Sequence, residues 1–133
     1  MPENIHVLIV DDEKPFRENM VKLLGVHGVG ATAVEHGEAA LDATKQRDFD
    51  VILLDLRMPG LDGVQTFKKL QAQGCKAPVI FLTGHGTLDD EMAGLHLGAF
   101  EYLHKPCPTE ELLEKVTAAV ERSRDKTRLL SKT

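Results

Sequence analysis

Three carboxylates and one lysine carry the chemistry of this sequence. Asp11 and Asp12 follow the apolar run Ile5 to Val10, Asp55 follows Val51 to Leu54, and Lys105-Pro106 comes just after Phe100 to Leu103. Thr83-Gly84 follows a fourth run, Val79 to Leu82, and Tyr102 lies within the last. An Asp-Asp pair or a Lys-Pro dipeptide alone is commonplace; the ordered set, each member at the end of a strand-like run, describes one phosphate-handling site. Three carboxylates brought together repel one another unless a cation sits among them. Mg²⁺ suits such a place, since it takes oxygen ligands, keeps several waters and is usually held by one or two carboxylates plus a phosphate. Lys105 supplies a second positive charge. A carboxylate in these surroundings can attack phosphorus and become an acyl phosphate. Asp55, which ends the most buried run, is the expected nucleophile, while the adjacent Asp11 and Asp12 suit metal and water ligation. Thr83 offers its hydroxyl to a phosphoryl oxygen, and the metal with Lys105 neutralises the oxygens in transfer.

Residues so far apart in sequence converge only if the elements carrying them end on one edge. A doubly wound parallel sheet does this, because its ligands bind beyond the carboxyl ends of the strands. The apolar runs alternate with helical periodicity, as an α/β fold requires. Phe16, Met20, Leu23 and Leu24 form one face of a first helix ending near Gly28, and a weaker strand follows over Ala31 to Val34. Ala40, Leu41 and Thr44 mark a second helix. Val51-Ile52-Leu53-Leu54 is unbroken and implies a central strand buried on both faces. Asp62 with Gln65, and Thr87 with Asp90, resemble capping boxes. The first opens a helix presenting Val64, Phe67 and Leu70; the second opens one whose expected inward face is Leu88, Met92 and Leu95, ended by Gly98. A last helix from near Thr109 carries acids in its first turn and buries Leu112, Val116 and Val120. Beyond Glu121 the pattern dissolves into a basic segment with Arg122, Arg124, Lys126, Arg128 and Lys132, expected to be a frayed end or linker stub.

The chain has 133 residues, enough for one domain that folds without metal or disulfide. A net charge of −5 argues against a nucleic-acid-binding surface and for protein partners. Cys75 and Cys107 show no ligand spacing and are expected to be reduced thiols in a cytoplasmic protein. No apolar run reaches membrane-spanning length.

Four segments resemble the receiver domain of bacterial two-component response regulators over residues 4 to 121: Val10-Asp11-Asp12-Glu13, Leu54 to Gly63, Leu82 to Gly86, and Tyr102-Leu103-His104-Lys105-Pro106. The resemblance implies a flavodoxin-like (βα)5 sandwich with a five-stranded parallel sheet in the order 2-1-3-4-5. It implies that Asp55 accepts phosphate from the phosphohistidine of a sensor histidine kinase or phosphotransfer protein. Asp11, Asp12, Asp55 and the backbone carbonyl of Arg57 would hold Mg²⁺, Asp12 directly and Asp11 often through water. Phosphorylation would draw Thr83 inward, let Tyr102 turn into the vacated space, and alter the face built by the fourth helix, fifth strand and fifth helix. That face would meet a downstream target or output domain, or a second copy in a homodimer. The resemblance also implies a cis Lys105-Pro106 peptide. Cys107 departs from it, since the family often has a bulky aromatic there.

Arg57 and His85, two residues after Asp55 and Thr83, are expected to border the phosphoryl group and set its lifetime. Other functions make different demands. A haloacid-dehalogenase-type phosphatase needs a second Asp two residues after its nucleophile, where this chain has Arg57. A flavodoxin-type FMN binder wants a hydroxyl- or Gly-rich loop after the first strand, where Asp11-Asp12-Glu13 would repel phosphate. A pseudo-receiver that binds partners without phosphorylation would have no need of the full chemical set. The chain could be a single-domain regulator or the N-terminal receiver of a longer DNA-binding transcription regulator, whose receivers the Thr83-Gly84-His85-Gly86 run resembles.

Overall fold

The computed structural model describes residues 4–84 and 86–131, the last five by their backbone only. Five strands alternate with five helices: β1 (His6–Val10), α1 (Lys14–Val26), β2 (Gly30–Val34), α2 (Gly37–Gln46), β3 (Val51–Leu54), α3 (Gly63–Ala72), β4 (Val79–Thr83), α4 (Leu88–His96), β5 (Glu101–His104) and α5 (Thr109–Ser131). The sheet is parallel in the order β2-β1-β3-β4-β5, as expected. Alternation along the strands splits the core in two. Val7, Ile9, Val51, Leu53, Ile80 and Leu82 pack with Met20 and Leu24 of α1 and with Leu112, Val116 and Val120 of α5. Leu8, Val10, Ile52, Leu54 and Phe81 face the other way, onto Ala40 of α2 and onto Phe67 and Leu70 of α3. All four residues of β3 are buried, which makes it the rigid centre on which the site is built.

Both capping boxes form, Asp62 with Gln65 and Thr87 with Asp90. The inward face expected for α4 does not. Leu88, Met92 and Leu95 are 71%, 62% and 39% exposed, and the residue α4 buries is Gly94. A Cβ at Gly94 would lie 2.6 Å from Cε2 of Phe81, so the helix approaches the sheet through its smallest residue and its bulky side chains are left outside.

Where the apolar repeat of α5 stops, the helix continues to Ser131. The Arg124 guanidinium reaches the Asp50 carboxylate at 3.4 Å, and Arg122 lies over the Phe100 ring at 5.7 Å. Part of the basic segment is thus packed helix; the Arg128 side chain and Lys132 lie outside the described residues. Among the described residues no helix is long and apolar enough to cross a membrane.

Candidate functional site

The carboxyl ends of β1, β3, β4 and β5 bring Asp11, Asp55, Thr83 and Lys105 together. Backbone bonds fix the frame: the Asp55 N–H donates to Val10 O at 3.0 Å, the Asp11 N–H to Val34 O at 3.1 Å, and the Lys105 N–H to Thr83 O at 2.9 Å. The Lys105-Pro106 peptide is cis. At Gly63 a Cβ would sit 2.8 Å from Leu56 Cα and 3.1 Å from the Asp55 carbonyl carbon, so a glycine is needed for α3 to start tight under the Asp55 loop.

Asp11, Asp55 and Thr83 are buried, at 1%, 1% and 0% exposure. The Lys105 ammonium donates to Asp11 Oδ2 at 2.6 Å and lies 3.9 Å from Asp55 Oδ2 and 3.8 Å from Glu13 Oε1. It also lies 3.9 Å from the centroid of the Phe16 ring, a cation–π contact. Asp11 Oδ1 accepts from the Glu13 N–H at 2.9 Å, so both oxygens of Asp11 are engaged. Asp55 Oδ1 accepts a long 3.4 Å bond from the Arg57 N–H, and the Thr83 hydroxyl donates to the Asp55 carboxylate. Asp55 Oδ2, fully buried, has no hydrogen-bond partner among the described residues. Burial pushes the Asp55 carboxyl above the usual carboxylate range; the Thr83 bond and the Lys105 charge pull it down, and Asp11 adds to the rise.

An orphaned, buried carboxylate oxygen calls for a further cation or donor. Asp11, Asp12, Glu13 and Asp55 place carboxylate oxygens within 4.8 Å of one another, and Asp12 and Glu13 are open to solvent. A set of hard, anionic oxygens reachable from water fits Mg²⁺.

Arg57 is elsewhere. Its guanidinium pairs with Asp90 Oδ2 at 3.3 Å, at the first turn of α4. That oxygen also accepts from the Thr87 N–H and hydroxyl, each at 3.0 Å, and these bonds with the Arg57 charge hold the Asp90 carboxyl below its usual value. Tyr102 is 5% exposed, its ring among Phe81 and His104 with centroids 6.2 and 5.1 Å away. Burial pushes its phenol up, with Asp90 and Glu91 adding to the shift. His85 lies outside the described residues.

Sequence reasoning did not single out Glu13 as a member of the acidic cluster, although it adjoins the pair. Phe16 was readable as a core residue of α1, and nothing in its spacing announced a ring under the Lys105 ammonium. The Arg57–Asp90 pair spans 33 residues and leaves no local signal.

The chain is similar in sequence and fold to known proteins. Residues 7–117 match the family model for the response regulator receiver domain. The transcriptional regulatory protein FixJ of Bradyrhizobium diazoefficiens is 33% identical over 115 residues, covering 86% of this chain and 56% of FixJ. The response regulator MprA of Mycobacterium sp. (strain KMS) is 34% identical over 119 residues, 90% of this chain and 52% of MprA. The receiver domain of the Francisella response regulator 1452 superposes with a TM-score of 0.83 at 32% identity, covering 90% of this chain and 99% of that one. The chain spans about half the length of the curated relatives it matches. A family model spanning most of the chain, and a fold shared with a solved receiver domain, make this chain a member of the response regulator receiver domain family.

Proposed function

We propose that Asp55 accepts a phosphoryl group from the phosphohistidine of a sensor histidine kinase or phosphotransfer protein, in the cytoplasm and with Mg²⁺. An Asp55 oxygen attacks phosphorus, the phosphorus–nitrogen bond breaks, and the imidazole leaves with the electron pair. The observation that carries this reading is Asp55 Oδ2: buried, without a hydrogen-bond partner, 3.9 Å from an ammonium and inside an acidic cluster. Asp11, Asp12, Asp55 and the Arg57 carbonyl would hold Mg²⁺, which when bound supplies charge to offset that on the phosphoryl oxygens. Asp12 is the direct ligand, since it is open, whereas Asp11 is already engaged by Lys105 and the Glu13 N–H. Lys105, moving from Asp55 Oδ2 to a phosphoryl oxygen, and Thr83, whose hydroxyl already reaches the carboxylate, stabilise the product.

Arg57 trades Asp90 for the phosphoryl dianion and, with His85, tunes the lifetime of the acyl phosphate. The readout is the face of α4, β5 and α5, where Leu88 and Met92 are exposed. Its target is an output domain or a second copy of the chain. Residues 4–121 form the receiver and 122–133 the basic connector to a DNA-binding output domain. The transcription-regulating relatives, about half of whose length the chain spans, favour that over a stand-alone regulator. Intact mass after incubation with acetyl phosphate tests the chemistry. A phosphoryl adduct that requires Mg²⁺ and is absent in Asp55→Asn is the expected result. No adduct from acetyl phosphate or from a phosphorylated histidine kinase would leave a pseudo-receiver as the better account.

A further inference from the structure

The geometry points to Gly86 as the residue that opens the inward seat of Tyr102 before any phosphoryl group arrives. The inference rests on the receiver reading only in treating Tyr102 as the switch residue. The ring is already inside: Tyr102 is 5% exposed and belongs to the core cluster with Phe81, Leu56 and Phe67. Thr83 is already drawn in, with its hydroxyl on Asp55. Both halves of the switch therefore hold the inward arrangement in the unmodified chain.

What leaves room for the ring is an absent side chain. A Cβ built at position 86 would overlap the Tyr102 hydroxyl and lie 2.8 Å from both Tyr102 Cζ and Leu56 Cδ1. Gly84, in the same loop, is different: a Cβ there would meet nothing closer than Lys105 Cβ at 3.7 Å. The missing volume is what position 86 supplies to the ring. The Tyr102 hydroxyl is buried there with no hydrogen-bond partner among the described residues. A seat that is open but not latched leaves the ring free to exchange between in and out, and the phosphoryl group then shifts that population by acting on Thr83.

The chain has one tyrosine and no tryptophan, so its intrinsic fluorescence reports on Tyr102 alone. Acrylamide quenching of the unphosphorylated, Mg²⁺-free protein is compared with that of N-acetyltyrosinamide. Wild type and Gly84→Ala should be quenched several-fold less than the free compound, and Gly86→Ala several-fold more than wild type. Wild-type Tyr102 as accessible as the free compound would overturn the inference without any variant, should Gly86→Ala not fold by circular dichroism. Equal protection in folded Gly86→Ala and wild type would overturn it too. Mass analysis with acetyl phosphate runs in parallel. An absent adduct in every protein would count against the receiver reading and leave the quenching result standing.

Discussion

Replacing Asp55 with asparagine should stabilise the metal-free protein, although it removes the proposed phosphoryl acceptor. Asp55 is a 1% exposed carboxylate that accepts from the Thr83 hydroxyl and, at 3.4 Å, from the Arg57 N–H, but its Oδ2 has no hydrogen-bond partner among the described residues, and three other carboxylates lie close by. Leaving a buried acceptor unsatisfied costs about 1–3 kcal/mol, and more when it is charged. The amide removes the charge and its repulsion by Asp11, and can still accept from the Thr83 hydroxyl. It does not orphan the lysine, because Lys105 keeps its nearer partner, Asp11, at 2.6 Å. The expected gain is about 2 kcal/mol, a Tm rise on the order of 5–8 °C for a chain of this size.

The pH dependence has a definite sign. The folded-state pKa of Asp55 is raised, so the folded protein binds more protons than the unfolded chain between the unfolded and folded values. Stability contributed by this group falls as pH rises through that window, and its penalty is complete above the folded pKa. The gain from Asp55→Asn should therefore be largest at neutral pH and shrink toward the unfolded carboxylate pKa of about 3.9. Thermal melts in EDTA and in saturating Mg²⁺ check this. Mg²⁺ should raise the Tm of wild type more than that of the variant, since ligand binding to the native state stabilises it. A variant that melts below wild type in EDTA, or one that Mg²⁺ stabilises as much as wild type, would refute the picture of an under-partnered Asp55 charge.

Lys105→Ala should destabilise by about 3 kcal/mol, since it strips the buried Asp11 of its charged partner, and should slow adduct formation from acetyl phosphate on the order of a hundredfold; denaturant melts and timed mass spectra measure the two. Arg57→Ala removes a solvent-exposed ion pair and should change stability by no more than about 0.5 kcal/mol. Its effect should appear in the decay rate of the phosphoryl adduct, and an unchanged rate would remove Arg57 from the chemistry. Gly63→Ala presses a methyl into the backbone of the Asp55 loop and should cost about 1–3 kcal/mol. Isothermal titration should show it weakening Mg²⁺ binding as well.

The strands and the gathering of Asp11, Asp55, Thr83 and Lys105 were legible because each rests on a local pattern, while the order of the sheet followed from the resemblance to receiver domains. An apolar run closed by a polar residue reads as a buried strand ending at the ligand edge, and the fold carries those ends to one place. The caps of α3 and α4 were legible for the same reason, being three-residue signals. The face of α4 was not. Leu88, Met92 and Leu95 have the spacing of a buried stripe, but Gly94 and the Phe81 ring decide how the helix lies, and that depends on a contact with another element. Likewise the apolar repeat of α5 ends at Val120 while its helix goes on to Ser131, with Arg124 on Asp50 and Arg122 on Phe100 in place of core contacts. Periodicity reports burial, and a helix can continue without it.

The same misread stripe bears on how a signal could leave the site. Arg57 is tied to Asp90, which also caps α4 through Thr87, so one carboxylate joins the Asp55 loop to the start of the helix whose apolar side chains face solvent. A phosphoryl dianion formed at Asp55, as proposed, would compete with Asp90 for the Arg57 guanidinium, since guanidinium–phosphate pairing is bidentate and charge-assisted. The capping bonds from Thr87 would survive that exchange, so α4 would lose its tether to the loop and keep its fold. Asp90→Asn should reproduce part of this effect without phosphate. Its neutral amide still accepts from the Thr87 N–H but holds Arg57 less well, so helicity should be retained while the mobility of α4 on the sheet rises. Backbone amide exchange over residues 88–96 measures that. Unchanged exchange in Asp90→Asn, with an unchanged lifetime of the Asp55 adduct, would show that the pair carries no part of the coupling.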